Sequence, residues 1–233
     1  MSTLAASGGL GRAATFYDSV VGKKIVMAVT GFILFGFVLV HMLANLQVFL
    51  PVAADGVPPL DAYAEHLRAL PPLLWGARLV LLASVILHII AAWQLTLLNK
   101  FEARAARYVK YTPSASNYAS RTMVWSGPII FFYVIYHLLD FTIGTVNPDY
   151  QPVKPFHNVL ASFQHPVIAG FYIVANVLLA MHLYHGIWSM FQTLGVSHPR
   201  YSAILKKASV VFAVLIGVGF CSVPLAVVFG LVK

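Results

Sequence analysis

The sequence predicts an all-α membrane protein: five transmembrane helices, four of them grouped as a bundle and the fifth accessory to it. Three observations carry this. The 233 residues are 60% hydrophobic and only 9% charged, and a mean hydropathy of +0.82 suits a surface that faces lipid rather than water. The apolar residues are collected into five runs, each long enough to supply the ~20 residues that cross a hydrocarbon core. Only short polar loops join the runs, so residues 1–233 read as one transmembrane domain with little chain left for anything outside the membrane.

In order, the runs are Ile25 to Leu50, Leu73 to Leu98, Met123 to Thr145, Val167 to Leu194 and Ala208 to Leu231. The first follows a polar, small-residue-rich stretch, Met1 to Asp18, and exceeds the ~7–15 residues of a signal-peptide core. It therefore reads as a retained span, although Val52-Ala53-Ala54 imitates a cleavage site. Pro51, Pro58, Pro59, Pro71, Pro72, Pro148, Pro152, Pro155 and Pro199 punctuate the loops. Pro128 and Pro224 fall inside spans, where neighbouring helices compensate the missing donor.

The formal net charge of +8 is distributed as topology rather than as a nucleic-acid stripe. Eleven of the 15 basic residues fall on one side: Arg12, Lys23, Lys24, Lys100, Arg104, Arg107, Lys110, Arg121, Arg200, Lys206 and Lys207. The other side has Arg68, Arg78, Lys154 and Lys233 among the acids Asp55, Asp61, Glu65, Asp140 and Asp149. The positive-inside rule then puts the N-terminus in the cytoplasm and the C-terminus outside. Cys221 is the only cysteine, which excludes internal disulfides, iron–sulfur clusters and covalent haem attachment through C-x-x-C-H.

His41, His88, His137, His182 and His185 lie within apolar spans, where a polar ring needs a partner. The first four spans carry them and the fifth has none, the layout of a four-helix cofactor bundle with one accessory helix. His41 lies 17 residues past Lys24 and His137 lies 16 past Arg121, a shared level in the outer half. His88 lies 12 residues before Lys100 and His182 lies 13 before Gly195, a shared level nearer the cytoplasm. Two pairs at two depths predict two bis-histidine haems stacked across the membrane, with both axial positions closed and electron transfer favoured over oxygen chemistry. Gly31, Gly36, Gly127 and Gly186 lie near these levels, where a flat macrocycle would approach the backbone. His185 lies one turn from His182, and spacing does not choose between them. Lys24, Arg78 and Arg121 are candidates to pair haem propionates. His66, His157, His165 and His198 read as loop residues, and Trp75, Trp125 and Tyr201 as interfacial anchors.

Several short motifs add to this layout: Gly22-Lys23-Lys24, Thr30-Gly31 ten residues before His41, Ser120-Arg121-Thr122-Met123 with Trp125-Ser126-Gly127, and His182-Leu183-Tyr184-His185-Gly186-Ile187-Trp188. Together they resemble the cytochrome b558 membrane subunits of succinate:quinone oxidoreductases, over nearly the whole chain from Tyr17 to the fifth span. The resemblance implies a dihaem b anchor in a bacterial cytoplasmic membrane, bound to a flavoprotein subunit and an iron–sulfur subunit and able to join a higher oligomer of that complex. It assigns His41 and His137 to a distal haem and His88 and His182 to a proximal one, because Gly186 and Gly195 keep the family's spacing after His182. His185 is left as a haem-edge or propionate neighbour.

Electrons from succinate would then cross to a quinone, and an outer quinone site would suit menaquinone because the membrane potential assists the transfer. Related fumarate reductases use a glutamate after the first span for quinone protons, and Glu65 is the positional match. They also carry a glutamate two residues before the fourth-span ligand, where this chain has Ala180. The rival readings are a fumarate-reducing anchor, another dihaem cytochrome b, and a proton-coupled transporter without a chromophore.

Overall fold

The computed structural model describes residues 15–52, 54–99, 118–196 and 198–233, with the backbone alone for 118–122. Arg12, Lys100, Arg104, Arg107 and Lys110 lie outside the described residues, as does the side chain of Arg121. Every regular element among the described residues is a helix. We label them α1 (Val20–Asn45), α2 (Pro59–Arg68), α3 (Pro71–Leu97), α4 (Tyr118–Leu138), α5 (Pro155–Phe163), α6 (Pro166–Thr193) and α7 (Pro199–Val228). A 3-10 turn, Leu46–Phe49, extends α1, and a π-helical turn, Leu139–Ile143, extends α4.

The five long helices, α1, α3, α4, α6 and α7, are long and apolar enough to cross a membrane. The 26 residues of α1 alone rise about 39 Å, more than the ~30 Å hydrocarbon core. Their outward faces expose Val, Leu, Ile and Phe, as lipid contact requires. The fifth helix begins at Pro199 rather than Ala208, because His198 caps it: the ring Nδ1 accepts a hydrogen bond from Arg200 N at 3.2 Å. The segment from Arg200 to Lys207 is thus helical although it is too polar for an apolar count to find.

Lipid supplies no hydrophobic drive for helix association, so close packing at small residues does the work. On α7, a Cβ built on Gly217 would lie 2.9 Å from the Cβ of Ala180 on α6, and one on Gly219 would overlap Met42 of α1. These glycines let α7 close against both neighbours. Replacing Gly217 with valine is expected to destabilise the protein by about 1–3 kcal/mol through overpacking. The thermal midpoint of the purified protein reads this, and adding Ala180→Gly should recover part of the loss.

Packing also sets the helix order. Extensive interfaces join α1 to α3, α1 to α6, α4 to α6 and α6 to α7, with α1 also touching α7. Among the described residues the four helices pack in the order α3, α1, α6, α4, so α1 faces α4 and α3 faces α6 across the diagonals of the bundle.

The short helices α2 and α5 lie at one end of the bundle, in segments whose sequence reads as loops. Each starts at a proline, whose missing N–H and fixed φ suit the first helical position. Asp61 of α2, 3% exposed, caps α5 from outside: its Oδ1 accepts from Phe156 N at 2.8 Å. Lys154 Nζ lies 3.9 Å from Asp61 Oδ2 and donates to Glu65 Oε1 at 3.2 Å. Beneath them Val48, Leu60, Val159, Phe163, Tyr172, Val223 and Val227 form an apolar cluster that fastens both helices to the bundle. Asp61→Ala should cost about 0.5–2 kcal/mol by removing the cap. Faster proteolysis of the chain around Lys154 would register it, whereas Asp61→Asn, which keeps an acceptor, should resist.

Candidate functional site

Both diagonals of the bundle are bridged by histidines. His41 of α1 and His137 of α4 meet with ring centroids 5.8 Å apart and planes at 85°. His88 of α3 and His182 of α6 lie 6.5 Å apart with planes at 58°. These are the two pairs expected from depth, formed between helices that share no extensive interface among the described residues.

The two pairs form separate tiers. The His88 ring rests on α1 at Gly31, where an added Cβ would come 3.3 Å from its Cε1. Gly31 and His41 are ten residues apart on α1, about 15 Å along the axis. Tyr172 touches the His137 ring at 6.0 Å and is ten residues from His182 on α6, again about 15 Å. Two helices therefore report the same spacing.

The inner tier is held by hydrogen bonds. His88 Nδ1 lies 3.1 Å from Met27 O and 3.2 Å from Thr30 Oγ1. The Thr30 hydroxyl itself donates to Val26 O at 2.7 Å. The backbone carbonyl can only accept, so Nδ1 carries the proton and Nε2 keeps its lone pair. His182 Nδ1 lies 3.4 Å from the hydroxyl of Ser126, which is 2% exposed. Such outer contacts orient a ligating ring and fix its tautomer. Thr30 and Ser126 stood in motifs that the sequence reading quoted without a role; only the folded structure brings them against histidines 58 and 56 residues away.

The outer tier is wrapped in aromatic rings. Phe37 stacks on His41 at 5.3 Å with planes at 13°, and Phe220 lies at 5.9 Å. Tyr133 and Phe141 flank His137 at 5.9 and 5.4 Å. His137 Nδ1 is buried with no hydrogen-bond partner among the described residues. A buried nitrogen left unsatisfied costs about 1–3 kcal/mol.

The residues fit a haem. Metal–imidazole bonds of about 2 Å, with about 1 Å more to each ring centre, place the centres of two axial rings about 6 Å apart. Both pairs have that span. No group of three or more His, Cys, Asp or Glu side chains converges among the described residues. The two facing imidazoles of each pair would hold a haem iron, and a macrocycle would supply its remaining ligands. A Cβ added at Gly36, Gly127 or Gly186 would meet nothing within 4 Å, which leaves those flanks open.

Other residues singled out from the sequence stand apart from the pairs. His185 is half-buried, one turn along α6 from His182, and His182 is the ring that faces His88. Glu65 lies on α2 with its side chain 52% exposed and bonded to Lys154. Arg78 is exposed, its guanidinium 4.9 Å over the Trp75 ring. Lys24 is exposed at the start of α1, whereas its neighbour Lys23 folds inward and donates to Tyr17 O and Asp18 O.

Comparison with known families gives a match over residues 102–220 to the succinate dehydrogenase/fumarate reductase transmembrane subunit. The chain belongs to this family. The match takes in His137, His182 and His185 and covers just over half the sequence. Searches of curated proteins and of solved structures gave no match. Family membership and the five apolar helices make the chain a multi-pass membrane subunit of a succinate dehydrogenase/fumarate reductase complex. Glycines, small residues and diagonal histidines are thus read as parts of an anchor in this family.

Proposed function

We propose that the chain is the dihaem cytochrome b anchor of a succinate:quinone oxidoreductase, carrying electrons from a cytoplasmic iron–sulfur subunit to a membrane quinone. The observation that carries this is the pair of histidine contacts across both diagonals, at 5.8 and 6.5 Å, in two tiers. Haem b held at each tier would supply one-electron redox chemistry.

The chain's own residues do the rest. His88 and His182 would hold the proximal group, their orientation set by Met27 O, Thr30 and Ser126. His41 and His137 would hold the distal group inside a ring of Phe37, Tyr133, Phe141 and Phe220, which keeps water out. Lys24, Arg78, Arg121 and His185 are the candidates to neutralise propionates at the margins. The α2/α5 end is acidic and carries Glu65, a half-exposed carboxylate suited to exchange quinone protons with water.

With the basic loops inside, electrons travel from the cytoplasmic to the outer tier, gaining up to about 2.3 kcal/mol per 100 mV each. That direction suits a low-potential quinone such as menaquinone. Affinity purification of the tagged chain from its native membrane tests the reading. The flavoprotein and iron–sulfur subunits should accompany it and the preparation should reduce a menaquinone analogue with succinate. A preparation holding hydrogenase or formate dehydrogenase subunits instead would contradict it.

A further inference from the structure

A carboxyl group with no cation lies buried just outside the outer histidine pair. Asp140 is 1% exposed and sits in the π-helical turn that ends α4. Its Oδ2 accepts from Ser162 Oγ and from Tyr172 OH, each at 2.8 Å. Isolated π turns occur frequently at functional positions. Here the widened turn closes through Gly144 N to Leu139 O at 2.9 Å, with Gly144 at φ 85° and the Tyr150 ring packed where a side chain would stand.

The groups around Asp140 come from every neighbouring element. Tyr133 and Tyr136 lie on its own helix, with His137 one turn inward. Tyr172 faces it from α6, Ser162 from α5 and the Asn147 amide from the connecting loop. No lysine or arginine lies within ion-pair distance of it among the described residues. The two hydroxyl donors suit the ionised carboxylate, and the missing cation and apolar walls suit the neutral acid. Both forms are therefore accommodated.

On its inner side Asp140 connects to the outer tier, because Tyr172, its hydrogen-bond donor, packs on His137. On its outer side a file of polar groups leads away. Asn147, 5% exposed, donates to Asn158 O at 3.5 Å, and Asn158 in turn holds Gln151 through both its side-chain atoms, at 2.7 and 2.8 Å. Gln151 lines an open cavity of about 410 Å³ together with Asp149, Tyr150, His157 and Gln164. Ionisable residues inside a membrane mark proton paths, and this file of amides connects Asp140 with the open cavity.

We propose that Asp140 is the proton-exchange residue of the outer tier, fed from the α2/α5 face past Asn158 and Asn147. The inference rests on the electron-carrying role argued above. Each electron that reaches the outer tier adds one negative charge, and the Asp140 carboxylate balances it by taking one proton and becoming a carboxyl. Two electrons released as succinate becomes fumarate, with two protons passed on in turn by Asp140, convert a quinone to its hydroquinone, one proton to each oxygen. Each donation returns Asp140 to the carboxylate, which takes its next proton from the aqueous face.

Redox titration of the purified complex at a series of pH values tests this. Coupled proton uptake makes the distal midpoint potential fall as pH rises, by linkage. In Asp140→Asn the shift should be lost while both haem bands remain, and a carboxyl carbonyl band in the reduced-minus-oxidised infrared spectrum should vanish; Asp140→Glu should restore both. An Asp140→Asn complex that keeps its haems and the wild-type pH shift would overturn the proposal. If that variant fails to assemble, Tyr172→Phe and Ser162→Ala each remove one donor and should move the pH range of the shift, and an unmoved range overturns it. A dihaem wild type with a pH-independent distal potential sinks the Asp140 role alone, whereas a colourless wild type sinks the haem reading as well.

Discussion

Replacing His182 with alanine is expected to remove one of two haems from the chain, and replacing His185 is expected to leave both. The two rings are one helical turn apart, yet only His182 faces His88 across the bundle, with Ser126 at its Nδ1. Loss should also follow the pairs. His88→Ala should reproduce the spectrum of His182→Ala, and His41→Ala that of His137→Ala, because the two residues of each pair would hold one and the same group. Haem quantification with reduced-minus-oxidised spectra distinguishes these patterns. A spectrum in which His185→Ala matches His88→Ala would reassign the fourth ligand.

The second large effect concerns turnover. With the inner pair broken by His88→Ala, succinate-dependent quinone reduction by the complex should fall more than about 100-fold, since even second-layer changes at metal sites cost about 10–100-fold. Succinate oxidation with a soluble artificial acceptor should persist, because the proposed role gives His88 a part in electron transfer and none in that chemistry. Measuring both rates on one preparation separates a broken wire from a disassembled complex. Equal loss of the two would place the defect in assembly.

Much of this was legible in the sequence for a simple physical reason. A membrane span must satisfy its backbone internally and meet lipid on its surface, so apolar length alone revealed all five long helices. The histidine tiers were legible because rise per residue converts a count from the membrane edge into depth. What stayed hidden depended on contacts distant in sequence. The helices α2 and α5 are short, and their stability comes from Asp61 reaching Phe156 N and from apolar residues on other elements. The start of α7 is polar and owes its helix to a histidine cap. Asp140 counted only as one of several outer acids, because nothing local announces that Ser162 and Tyr172 close over it. Glu65 is prominent by position, and the fold adds that it is half exposed and engaged with Lys154.

The central claim is that opposed imidazoles on each diagonal grip an iron porphyrin. Haem and iron quantification on the purified complex, expressed with adequate iron and haem supply, tests it most directly. Two haems b and two irons per copy of this chain, beyond the iron of the partner subunits, is the predicted result. A chain that carries neither chromophore nor iron under those conditions would contradict it.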